Sequence, residues 1–169
     1  MLSNYYPDFY FRRVEDIPFK FLLENNIKGL IFDMDNTLID FSGRLLSKNL
    51  SAFFENLRFL NISAIIVTNS NSKKRVTKIA EILNVKFIFS AKKPNIKAFK
   101  KAQKILGIKK ENIAIIGDNV FTDIIGGKNF GIKTILINPI SLIEIPIGFL
   151  INPWEIPIII AYKFSRKSR

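Results

Sequence analysis

The sequence predicts an α/β protein: a three-layer, Rossmann-like parallel sheet of about five strands with helices on both faces and no large cap domain. Three observations carry this prediction. Apolar runs of strand length alternate five times with longer stretches of helical periodicity, the pattern of parallel strands joined by right-handed crossovers. Acidic, hydroxyl and amine side chains fall just after successive strands, where open α/β sheets hold their ligands. The chain has 169 residues, 48% of them hydrophobic, which suits one domain with a substantial core. Within that single domain we read an N-terminal extension over 1–26, a core over 27–137, and an apolar C-terminal segment with a basic tail over 138–169.

The extension is aromatic and mixed in charge, with Tyr5, Tyr6, Phe9, Tyr10 and Phe11 before Arg12 and Arg13. Asp16-Ile17-Pro18 marks a helix start, with Phe19, Leu22 and Leu23 as the buried stripe. The first strand covers about 28–33: Leu30, Ile31 and Phe32 form a continuous apolar run, which suits a strand buried on both faces. It ends in Asp33 and Asp35, with Asn36 and Thr37 just behind. A loop with Ser42-Gly43 leads to a helix over about 47–60, where Leu50, Phe53, Phe54 and Leu57 recur at helical spacing. The second strand is Ser63 to Thr68, and Asn69 to Ser72 form a capping loop before a helix over about 73–83. A third strand covers about 86–89. Pro94 takes a first helical position and Gly107 a helix end, which places a helix over about 93–106. The fourth strand is Ile113 to Gly117, a short helix covers about 122–130 up to Gly131, and the fifth strand is Lys133 to Ile137.

Asp33 and Asp35, two apart on an extended chain, aim at one face and repel each other unless a metal or a shared proton intervenes. A single such residue after a strand is explained by helix capping. The succession Asp33 and Asp35, Thr68, Lys93, then Asp118 and Asp123, over four strand ends, is not. The chain has no cysteine and no histidine. That excludes disulfides, thiolate and imidazole metal sites, Ser-His-Asp triads and histidine acid–base chemistry. A metal here must be a hard ion held by oxygen, with Mg²⁺ the best fit. The net charge of +12 favours phosphate-bearing partners, and equally reflects a composition rich in Lys, Ile, Asn and Phe. Residues 1–10 lack a basic segment followed by an apolar one, so no cleavable signal peptide is expected and a cytoplasmic location is.

With these residues in place, the sequence resembles the haloacid dehalogenase (HAD) superfamily of phosphohydrolases over about Gly29 to Ile137. Asp33-Met34-Asp35-Asn36-Thr37 matches its DxDxT motif, Thr68-Asn69 its strand-ending hydroxyl, Lys93-Pro94 its lysine, and Gly117-Asp118 through Asp123 its GDxxxxD motif. The segment Asn4 to Asp8 (NYYPD) is further similar to the YqeG-type subgroup of subclass III, which is related to the phosphatidylglycerophosphate phosphatases. The resemblance implies that Asp33 is a nucleophile forming an aspartyl-phosphate. It implies that Asp35 protonates the leaving oxygen and then deprotonates water. Thr37, Thr68, Asn69 and Lys93 would contact the phosphoryl group, with Thr68 and Lys93 catalytic. Asp33, the Asp35 carbonyl oxygen and Asp118 would ligate Mg²⁺. Asp123 would be a further ligand through water, an orienter of Lys93, or simply an acid favoured early in a helix. Lys92 adjoins Lys93, and only the spacing to Pro94 favours Lys93. Asp40 reads as a loop residue.

The segments between Thr37 and Thr68 and between Lys93 and Gly117 hold one helix each, so the site is expected to be open. Prolines at 139, 146, 153 and 157 argue against a spanning helix in the C-terminal segment. Trp154 and the cations Lys163, Arg166, Lys167 and Arg169 read as an interfacial membrane segment or, with equal weight, as a tail folded over the sheet. The favoured substrate is thus a lipid phosphate, phosphatidylglycerophosphate, met by peripheral contact with an anionic membrane at its inner face. The alternatives are a soluble phosphometabolite or a nucleic-acid-binding module using Lys97, Lys100, Lys101 and Lys104. The intact motif set argues against the last. The sequence is silent on oligomeric state.

Overall fold

A computed structural model of the chain describes residues 6–40 and 48–140. The expected loop at Ser42-Gly43 and the C-terminal segment beyond Ile140 lie outside the described residues. Six strands form one parallel sheet, β1 (Phe9–Phe11), β2 (Gly29–Phe32), β3 (Ser63–Val67), β4 (Lys86–Ile88), β5 (Ile113–Gly117) and β6 (Lys133–Ile137), in the order β1-β6-β5-β2-β3-β4. The helices are α1 (Phe19–Glu24), α2 (Lys48–Phe59), α3 (Lys73–Leu83), α4 (Ile96–Leu106) and α5 (Gly126–Phe130).

Strand alternation divides the core in two. Leu30, Phe32, Ile66, Ile116 and Ile135 face α1, α2 and α3, where they meet Leu22, Phe53, Phe54, Val76 and Ile79. Ile31, Ile65, Val67 and Ile115 face α4 and α5, against Ala98, Phe99, Ala102 and Phe130. The central strand β2 is therefore buried on both faces, which is why its sequence is an unbroken apolar run.

The expected parallel sheet of about five strands is present and gains a sixth, and three local expectations need correction. Phe9–Phe11 pairs in parallel with β6, so the extension supplies an edge strand. All three residues are half-buried, and a strand with no alternation gives no period-two signal. Asp8 fixes this edge: its Oδ2 accepts from the Thr134 N–H at 2.9 Å and the Thr134 hydroxyl at 3.0 Å, and it pairs with Lys128. In α1, Leu22 is buried but Leu23 is exposed, and Phe21 packs against Phe9 and Phe11 instead. Pro94 precedes α4 rather than opening it; Asn95 is the N-cap, with its side chain accepting from the Lys97 N–H. The short helix after β5 is two pieces, a wide π-helical turn over Val120–Ile125 and then α5.

The topology sets the site. From β2 the chain moves out to β3 and β4, then crosses back to β5 on the other side of β2. Such a reversal opens a crevice at the carboxyl ends of the central strands. Phe32 is in register with both Ile66 and Ile116, so the residues that follow each strand emerge side by side. No helix of the described residues is long and apolar enough to cross a membrane.

Candidate active site

Asp33 is the first residue beyond β2, its N–H donating to the Ile116 carbonyl at 2.9 Å, so the next strand fixes its backbone. Lys93 reaches it from the loop before α4. The Lys93 Nζ donates to Asp33 Oδ1 at 2.6 Å and to Asp123 Oδ1 at 2.6 Å, with its side chain 1% exposed. Burial alone would lower this lysine's pKa, but Asp123 and Asp33 outweigh it and hold the ammonium above its ordinary value. Lys92, by contrast, is exposed, so of the two adjacent lysines it is Lys93 that lies beside Asp33.

Lys93 is positioned through its backbone. The Asn69 side chain accepts from the Lys93 N–H at 2.7 Å and donates to the Lys93 carbonyl at 3.1 Å. The Thr68 N–H donates to the Ile88 carbonyl, the Ala91 N–H to the Thr68 carbonyl, and the buried Thr68 hydroxyl accepts from the Ser70 N–H at 3.1 Å. Loops 68–71 and 88–93 are thus stitched into one unit.

Asp118 follows β5. The buried Thr37 hydroxyl donates to its Oδ1 at 3.2 Å. Asp123 is fully buried, and its Oδ2 accepts from the Asn119 N–H at 3.2 Å while Asn119 caps Thr122. Glycine is required at 117, because a Cβ there would lie 2.2 Å from Asp123 Oδ2. Among the residues expected at the site, Thr37 and Asn69 hold other site residues in place: Thr37 holds Asp118 and Asn69 holds Lys93.

The carboxylates of Asp33, Asp118 and Asp123 each offer an oxygen within 4.8 Å of the others. One ammonium faces these three acids, which leaves two negative charges uncompensated in a buried place. The strain registers on the acids. Burial, then Asp33 and Asp123, push the Asp118 carboxyl well above the ordinary carboxylate range. Burial pushes Asp123 up to about 6 against the pull of Lys93, and Asp33 adds to the rise. A divalent cation with a preference for oxygen fits both the charge and the donor set.

Asp35 turns elsewhere. Its Oδ1 lies 2.6 Å from Nη1 of Arg75 in the first turn of α3, and both side chains are about a third exposed, 36% and 35%. Burial raises the Asp35 carboxyl above its ordinary value against the pull of Arg75. Arg75 is absent from the sequence motifs; its one local signal is its place three residues after the Ser72 N-cap, whose side chain accepts from the Arg75 N–H.

Comparison with known proteins completes the picture. Residues 90–138 match the HAD-hydrolase-like family model. Over 142 residues the chain is 37% identical to a probable phosphatase, YqeG, of Bacillus subtilis, covering 83% of this chain and 82% of that protein. The chain belongs to the HAD superfamily. A glyceraldehyde 3-phosphate phosphatase of Pyrococcus furiosus is 35% identical over 78 residues, 41% of this chain and 32% of that protein. The fold is shared with an uncharacterised protein of Corynebacterium glutamicum (TM-score 0.58, 16% identity, 68% of this chain and 88% of that one). It is also shared with one of Listeria monocytogenes (TM-score 0.54, 21% identity, 75% of this chain and 88% of that one). The protein is a HAD-type phosphatase, and the site is an acidic cluster able to hold a divalent metal beside a buried lysine.

Proposed function

We propose that this chain is a Mg²⁺-dependent phosphomonoesterase that works through an aspartyl-phosphate and acts on phosphatidylglycerophosphate at an anionic membrane surface. The observation that carries the chemistry is the Lys93 ammonium held 2.6 Å from Asp33, with Asp118 and Asp123 alongside and Asp35 at the mouth. The Asp33 oxygen not held by Lys93 attacks phosphorus, and the bond from phosphorus to the ester oxygen breaks as Asp35 delivers its proton there. Asp35 then accepts a proton from water, the water oxygen bonds to phosphorus, and the acyl-phosphate bond breaks to release phosphate and restore Asp33. Lys93 offsets the negative charge that gathers between nucleophile and phosphoryl oxygens. Asp33, Asp118, Asp123 and the Asp35 carbonyl oxygen are the candidate ligands for Mg²⁺, which when bound neutralises the carboxylates and polarises the phosphoryl group.

The choice of a lipid rests on the mouth of the site. Among the described residues no cap domain covers it: α2 alone separates β2 from β3, and α4 with one 3₁₀ turn separates β4 from β5. The loops and first helical turns around it expose Phe89, Ile96 and Phe121, the last at 61%, together with Lys73, Lys74, Lys92 and Lys97. Apolar side chains interspersed with lysines at one end of a sheet suit reversible contact with anionic lipid, about 1 kcal/mol per cation at best. The basic face of α4, with Lys100, Lys101 and Lys104 exposed, is a solvated surface by the same physics. The test is a panel of phosphatidylglycerophosphate vesicles, sugar phosphates, nucleotides and phosphopeptides with Mg²⁺. Preference for a soluble phosphate over the vesicles would replace the lipid with a phosphometabolite. Absence of turnover on every substrate, with salt-sensitive binding to RNA, would replace the enzyme with a binding module.

A further inference from the structure

The two cations of the site are held in opposite ways. Lys93 is sealed: both its contacts are internal and its side chain is 1% exposed. Arg75 is a third exposed at the mouth, and among the described residues its guanidinium is paired with Asp35 alone. A guanidinium carries five N–H donors in a planar fork suited to bidentate contact with carboxylate or phosphate. One contact to Asp35 therefore leaves donors turned toward solvent at the entrance.

The position of Arg75 defines what it can meet. On the reading given above, Asp35 hands its proton to the leaving oxygen, so it stands on the leaving-group side of the scissile bond. A cation 2.6 Å from Asp35 belongs to that side too, whereas Lys93 is paired with Asp33, the residue that meets phosphorus. We infer that Arg75 is a specificity-determining residue that binds a second anionic group, a phosphate or phosphodiester on the leaving portion of the substrate. An incoming phosphate offers Arg75 a bidentate partner and releases Asp35 from the ion pair, free to face the leaving oxygen. The surroundings favour an anion there. Arg75 lies in the first turn of α3, whose positive dipole end faces the mouth, and Lys73 and Lys74 beside it are exposed. Fixing by the Ser72 cap means the guanidinium is presented from a rigid element rather than a wandering loop. The substrate class that follows is a phosphomonoester whose alcohol carries its own negative charge a few bonds from the ester oxygen. A lipid head group and a soluble bisphosphorylated metabolite share that chemistry.

The inference rests on the phosphatase reading and is tested with it. Turnover by the full-length protein with Mg²⁺ is measured on glycerol 3-phosphate, whose leaving alcohol is neutral, and on glycerophosphoglycerophosphate, whose leaving portion carries a phosphodiester. The native protein is expected to favour the second. Arg75→Gln should lose about 10- to 150-fold in kcat/KM on the charged substrate, mainly through KM, the worth of one charged hydrogen-bonding group. The ratio of kcat/KM on the charged substrate to that on glycerol 3-phosphate should fall by this factor, any change from loss of the Asp35 ion pair being common to both substrates, and Arg75→Lys should recover part of the preference. Equal losses on both substrates would show that Arg75 only orients Asp35 and would overturn the inference. So would a native enzyme that turns over both substrates equally, with the phosphatase reading left standing. No turnover on either by the native protein would remove the phosphatase reading and the inference together. Phosphatidylglycerophosphate in vesicles separates the sources: the Arg75→Gln loss should appear both there and on the free head group if the phosphodiester is what is recognised, and a loss confined to vesicles would overturn the inference.

Discussion

Replacing Lys93 with Met keeps the length and apolar stem of the side chain and removes its charge. At an effective dielectric of about 20, each 2.6 Å contact to Asp33 and Asp123 is worth about 6 kcal/mol of gross attraction. Most of that offsets the cost of keeping three charges out of water. The measurable consequence of removing one partner is about 3–5 kcal/mol, because the others stay buried and unpaired. For a chain of 169 residues, at about 2–4 °C per kcal/mol, Lys93→Met should melt about 6–20 °C lower in EDTA. Turnover should fall by at least about 100-fold with the loss of the positive charge beside the phosphoryl group. The cause is separable from generic damage. Asp123→Asn on the Lys93→Met background removes one orphaned carboxylate, so the double variant should regain about 1–2 kcal/mol over Lys93→Met. Thermal and urea unfolding with and without Mg²⁺ measure all of this. Strictly additive losses in the double variant, or native-like turnover by Lys93→Met, would refute the argument.

Four further outcomes follow from the same geometry. Asp33→Asn should retain the fold and lose turnover, and beryllofluoride, an aspartyl-phosphate mimic, should bind the native protein with Mg²⁺ but not this variant; retained turnover would refute covalent catalysis. Without metal, Asp123 has a folded pKa near 6 against an ordinary 3.8, so the folded chain holds a proton that the unfolded chain releases, and this group's contribution to stability falls as pH rises from 3.8 to about 6. Mg²⁺ should accordingly raise the melting temperature more at about pH 7.5 than at about pH 5, because its ligands must be deprotonated, and an equal rise at both would count against the acidic cluster as the metal site. Gly117→Ala should displace the Asp123 carboxylate from its place over the Gly117 Cα and weaken Mg²⁺ binding, read by titration calorimetry at constant fold. Phe121→Ser, on the exposed rim, should slow hydrolysis of vesicle-borne substrate and leave a soluble phosphate ester unaffected; equal rates on vesicles would argue against membrane contact there.

Much of the architecture is local and therefore legible in the chain. The buried run Leu30-Ile31-Phe32 has no polar residue because β2 is covered on both faces, and that alone marks the centre of the sheet. The register of β2, β3 and β5 follows from their lengths and their crossovers, so the residues just beyond them, Asp33, Thr68 and Asp118, had to emerge at one end. Residue types then narrowed the chemistry, since a chain without histidine or cysteine can hold a metal only through oxygen.

Other features depend on which side chains meet across the fold, and no local pattern encodes that. Phe9–Phe11 becomes a strand because β6 offers it an edge and Asp8 ties it to Thr134, partners more than a hundred residues away. Lys92 and Lys93 have the same chemistry; only the backbone clamp by Asn69 turns one inward to two carboxylates and leaves the other in solvent. Arg75 meets Asp35 because α3 begins beside the end of β2, forty residues apart in sequence and 2.6 Å apart in space. The sequence determined which groups collect at the carboxyl end of the sheet, because strand spacing is a short-range property. Tertiary packing decided which of them pair, because a pairing energy exists only once two distant backbones have fixed the distance between their side chains.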